Sequence, residues 1–156
     1  MHVRFTAGGR KDRGASLVEF AMVAPFLLLL ILGMVEFGWL FAQNLDVRHG
    51  AREGARLAAV NFPEGPPPNS GSPSTNTAAL VTEICSRMQT PENADLTITS
   101  AGDVGDPATV TVNAPGETLT GFIDFLLPST LILTSTVETR LEQTATWNNV
   151  SAEACP

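Results

Sequence analysis

The sequence predicts an α+β protein: a long N-terminal transmembrane helix that extends out of the membrane, then a small domain in which one short helix packs on a three-stranded antiparallel sheet. Three observations predict it. Residues 20–42 form a 23-residue apolar run interrupted by a single charge, Glu36. Residues 95–100 and 108–113 alternate β-branched and polar side chains on either side of a loop rich in Gly and Asp. Charge is segregated, with residues 1–14 net +3 and residues 61–156 net −9 within an overall −7. The chain therefore divides into a basic leader (1–14), a transmembrane and extended helix (15–62), a Pro/Gly/Ser linker (63–76) and a small extracytoplasmic α+β domain (77–156).

The apolar run is the firmest element. At about 1.5 Å per helical residue it reaches roughly 34 Å, enough to cross a hydrocarbon core of about 30 Å. A buried helix of a soluble protein rarely shows five consecutive leucine or isoleucine positions with no polar face, as positions 28–32, Leu-Leu-Leu-Ile-Leu, do. Pro25 is tolerated in a membrane helix, with a local kink. Glu36 lies under two turns from Ala42, which puts it near the outer interface, where it is expected to reach water beside Trp39 and Phe41. A cleaved secretory signal would have a shorter run and a small residue where Leu40 stands. The cations Arg4, Arg10, Lys11 and Arg13 precede the span, and with the acidic C-terminal part they predict an N-in, C-out topology in a bacterial inner membrane.

At the lip of the run a basic arm ends in Gly14, and Glu19 follows five places later, next to Phe20. Gly lets the backbone enter a tight protease cleft, and a carboxylate carried into an apolar assembly needs a partner. This arrangement resembles the type IV prepilin cleavage site, which implies a cut between Gly14 and Ala15 by a prepilin peptidase. It also implies that Glu19 pairs with the new α-amine of a neighbouring subunit. Adding Val18-Glu19-Phe20, Pro25, Glu36-Phe37-Gly38 and Ala51-Arg52-Glu53-Gly54-Ala55-Arg56, residues 14–60 resemble the TadE-like family, pseudopilins of the tight-adherence pilus system. The resemblance implies a type IV pilin-like fold and a structural or assembly role in such a pilus. The implied partners are prepilin peptidase, other pilin and pseudopilin subunits, an inner-membrane assembly platform and the lipid bilayer. Ala15 departs from the aromatic residue common at the first mature position of type IV pilins.

Beyond the membrane the helix is expected to run on. Leu40, Asn44, Val47, Ala51, Ala55, Ala58 and Phe62 recur every three or four residues and mark one packing face. Arg48, Arg52 and Arg56 form a separate stripe that either meets solvent and lipid headgroups or meets carboxylates of a neighbouring subunit. After the linker, Thr77 is expected to cap a short helix carrying Leu80, Ile84 and Met88, ended by Thr90-Pro91. The two alternating segments form a hairpin. Residues 121–128, GFIDFLLP, make an apolar insert with a turn of helix on the sheet, and residues 130–142 form the closing strand. An oxidising compartment favours a Cys85–Cys155 bridge over two thiols.

These features exclude several classes of function. An acidic domain repels phosphate backbones, so no nucleic acid is expected. With His2 and His49 outside the domain and no Cys-x-x-Cys, phosphate loop or Gly-x-Ser-x-Gly, neither a metal site, a cofactor nor enzymatic chemistry is expected. The competing reading is an uncleaved single-pass anchor that presents its domain to a cell-envelope partner.

Overall fold

The computed structural model describes residues 12–63, 72–89, 92–121, 124 and 131–156. Helix α1 (Asp12–Ala59) is followed by helix α2 (Pro73–Ser86) and strands β1 (Asp95–Ser100), β2 (Pro107–Pro115), β3 (Ile132–Arg140) and β4 (Val150–Ala154). The strands form one antiparallel sheet in the order β3-β2-β1-β4, so the sheet has four strands rather than the expected three. The predicted frame of a long apolar helix, a short helix and an antiparallel sheet is otherwise the observed one.

The C-terminal half of α1 lies across β2 and β3, with α2 beside it. The core is built from three faces. Val47, Ala51, Ala55 and Ala58 come from α1, Leu80, Val81 and Ile84 from α2, and Leu96, Ile98, Val110 and Val112 from the sheet, all buried. The predicted α1 face is the packed one. Its residues are small because the sheet comes close: a Cβ at Gly54 would stand 3.1 Å from both Ile84 Cδ1 and Val110 Cγ1. On the sheet, Leu96 stands opposite Val112 and Ile98 opposite Val110. Alternation then turns Thr97, Thr99, Thr109 and Thr111 to the other face.

The end of α1 follows from its backbone groups. Phe62 N–H donates to Leu57 O (3.0 Å) and Asn61 N–H to Ala58 O (3.1 Å), a Schellman closure with Asn61 at φ 56°. The Asn61 side-chain oxygen accepts from Thr146 N–H (2.8 Å), which fixes the C-terminal segment to the helix end.

Helix α2 begins earlier than Thr77. Ser72 is the N-cap, its hydroxyl accepting from Thr75 N–H, and Pro73 opens the helix. Proline there has a preset φ and no N–H to lose, so residues 73–76 leave the predicted linker and join the helix. Thr77 sits inside it, donating to Pro73 O (2.7 Å) and accepting from Asn148 N–H (2.8 Å). The helix stops at Ser86, before Thr90-Pro91, which lies outside the described residues. The closing strand is 132–140 rather than 130–142. Most of the apolar insert at 121–128 lies outside the described residues, as do the linker residues 64–71 and the leader residues 1–11.

The predicted Cys85–Cys155 bridge is present, with Cα atoms 5.7 Å apart. It ties the last turn of α2 to the chain just after β4.

Candidate functional site

The site is the lower part of α1 and the loop that closes on it. From Gly14 to Val35 no residue of the helix is buried, and Phe20, Phe26, Leu28 and Met34 are each more than half exposed. This helix, Gly14–Ala59, is long and apolar enough to cross a membrane. Gly14, Ala15, Glu19 and Phe20 are all exposed at its N-terminal end, and space around Gly14 is open.

Coverage begins at Glu36, whose side chain is fully buried. Its carboxylate accepts from Leu119 N–H (2.8 Å), from Thr120 N–H (2.7 Å) and from the Thr120 hydroxyl. Two successive backbone N–H groups aimed at one carboxylate form a cradle that satisfies a buried anion. The expectation that Glu36 reaches water is therefore corrected: the loop after β2 folds down over it. Two turns higher, the Gln43 amide donates to Glu117 O (2.7 Å) and accepts from Glu117 N–H (2.9 Å). Glu36 and Gln43 together hold residues 117–120 along the helix. Sequence reasoning missed Gln43, Leu119 and Thr120. The available signal was a polar pair seven residues apart, two helical turns, on one side of an otherwise apolar helix.

The Arg stripe behaves differently. Arg48, Arg52 and Arg56 are exposed. Arg56 pairs with Glu53 at 3.3 Å, and among the described residues Arg48 and Arg52 have no ion-pair partner. The same Glu53 oxygen also takes Arg87 at the end of α2, which in turn bonds Glu83 at 2.7 Å. The hydrogen bond to Glu83 is the largest influence pushing the Arg87 guanidinium above its ordinary range; burial opposes it and the Glu53 charge adds to it. Asp46 accepts from Gln89 N–H (2.9 Å) just beyond α2. The segment 51–56 is thus divided: Glu53, Gly54 and Ala55 seat α2 and the sheet, while Arg52 and Arg56 face outward. Among the described residues no group of His, Cys, Asp and Glu is gathered that could hold a metal ion.

No curated protein and no solved structure matches the chain at the significance required. The family model described as TadE-like protein matches residues 14–56, the stretch that runs from the candidate cleavage glycine through the Glu36 latch to the last arginine of the stripe, and in this segment the chain is TadE-like.

Proposed function

We propose that this chain is a pseudopilin-like structural and assembly subunit of a tight-adherence pilus, cut by prepilin peptidase between Gly14 and Ala15. The TadE-like match associates it with that pilus system, and the bare apolar helix associates it with a membrane. The observation that carries the reading is the N-terminal end of α1. From Gly14 to Val35 the helix is uncovered for 22 residues, with Glu19 as the one acidic side chain of that stretch. In lipid or in a filament core a carboxylate needs a partner, and a newly cut α-amine on a neighbouring subunit supplies one. The basic leader holds the cut site at the inner leaflet of the cytoplasmic membrane. The disulfide-bonded domain lies outside, where other pilin subunits and the assembly platform meet it. The role is structural, not enzymatic.

The test is the N-terminus of protein extracted from native membranes. Mass spectrometry is expected to find a chain that starts at Ala15, and Gly14→Leu is expected to leave all fourteen leader residues in place. Wild-type protein that keeps Met1 while pili form would overturn the reading.

A further inference from the structure

Outside the membrane α1 presents one continuous exposed stripe. Phe37, Phe41, Leu45, Arg48, Arg52 and Arg56 fall within about 100° of one another at 3.6 residues per turn. The three apolar members are 72%, 56% and 49% exposed, and the arginines follow directly above them. Lipid does not account for the upper half. The headgroup layer is about 5–8 Å thick on each side of the hydrocarbon core. From Phe41, Arg52 is about 16 Å and Arg56 about 22 Å along the helix. These charges stand clear of the bilayer.

The opposite side of α1 carries the complement. A cleft of about 320 Å³ is lined on its apolar side by Trp39, Val47 and Leu133 and on its polar side by Gln43, Gln89 and two carboxylate bearers, Glu92 and Glu117. Among the described residues neither glutamate has an ion-pair partner. A cleft with apolar, amide and carboxylate-bearing walls is what an arginine side chain fits: its methylenes cover the apolar wall and its guanidinium takes the acids, with the Trp39 ring as a further surface.

We propose that Arg52, with Arg48 beside it, docks in the Trp39–Leu133 cleft of a second copy of this chain and pairs with that copy's Glu92 and Glu117. The occupant is argued from charge. The stripe is cationic, whereas residues 61–156 of the same chain are net −9. The geometry makes the contact head-to-tail. The stripe and the cleft lie about 180° apart around α1, and Arg52 is about 13 Å above Gln43, which sits at the cleft. A contact between different patches with an axial offset does not close on itself as a two-fold dimer; it propagates as a helical array. The inference deepens the filament reading above by naming a subunit contact.

The experiment uses the full chain in detergent micelles, where one copy is free to rise past the next by the roughly 13 Å that the contact requires. The double variant R52C/E117C, treated with a short bifunctional thiol reagent, is expected to give a ladder of dimers, trimers and larger species, and each single variant to stay monomeric. Cys85 and Cys155 are bonded to each other and do not interfere. Reversing the stripe with R48E/R52E is expected to weaken self-association at least about tenfold, and mixing that variant with E92K/E117K is expected to restore it. Dimers from R52C alone would show stripe against stripe and overturn the proposal. So would failed restoration, or a loss of binding to anionic vesicles in R48E/R52E with self-association unchanged. The N-terminal mass separates the two readings. A ladder from chains that still begin at Met1 overturns cleavage and leaves the contact standing; chains cut after Gly14 that give no ladder do the reverse.

Discussion

At the scale of single residues, Glu36 shows how a charge near a membrane is accommodated. Three donors converge on a side chain with no exposure, so its removal leaves two backbone N–H groups of the loop without their acceptor. Hydrogen bonds to a charged group contribute about 1.5–3 kcal/mol each, and water reaching the exposed Leu119 and Thr120 offsets part of their loss. Glu36→Ala is therefore expected to lose about 3 kcal/mol and to release residues 117–120, read as faster amide exchange at Leu119 and Thr120. Unchanged exchange there would refute the latch. Gly54 tests the packing in the same way. A side chain there meets Ile84 and Val110, both embedded in the core, so Gly54→Val is expected to cost about 2 kcal/mol in urea unfolding. Gly50→Ala is expected to cost about 1–2 kcal/mol, because its Cβ would come within 2.4 Å of the Met88 sulfur and 2.7 Å of its Cγ, and Met88 is packed in the core.

At the scale of elements, the sequence was informative wherever a period carried the signal and silent wherever the partner was backbone. The α1 face from Val47 to Ala58 and the strands β1 and β2 follow from spacing, because buried and exposed positions repeat there with a fixed period. The Glu36 and Gln43 contacts do not: their partners are main-chain groups more than seventy residues away, and no side-chain pattern marks a main-chain donor. Strand β4 was invisible for another reason. Val-Ser-Ala-Glu-Ala has little strand propensity, pairs with β1 through a shifted register, and has Ala152 at φ 51°. It is held as much by its surroundings as by its own composition, and the Cys85–Cys155 bond closes a separation of 70 residues beside it. By loop-closure entropy that bond is worth about 4 kcal/mol. The double variant C85S/C155S is expected to lose roughly that amount in denaturant unfolding, with amide protection in β4 falling first. A variant as stable as wild type would mean that pairing alone holds the strand.

At the scale of the whole molecule, the point where packing begins sets the depth of the protein in a bilayer. Residues 14–35 are uncovered, and 22 residues of helix reach about 33 Å, close to a hydrocarbon core of about 30 Å. With that stretch as the proposed span, the Glu36 latch falls at its outer boundary. Trp39 is one turn above Glu36 and 39% exposed, at the level where indoles favour the interface. Trp147 is buried in the domain, and its Nε1 has no hydrogen-bond partner among the described residues, so Trp147→Phe removes no hydrogen bond seen here. That variant keeps Trp39 as its single tryptophan. In vesicles its fluorescence is expected to be quenched strongly by lipids brominated near the headgroup and weakly by lipids brominated deep in the acyl chain. Strong deep quenching would place the helix about a turn or more lower than the latch allows. Emission typical of water with no quenching by either lipid would mean that the span ends well before Glu36, and the arginine stripe would then stand even further from the bilayer.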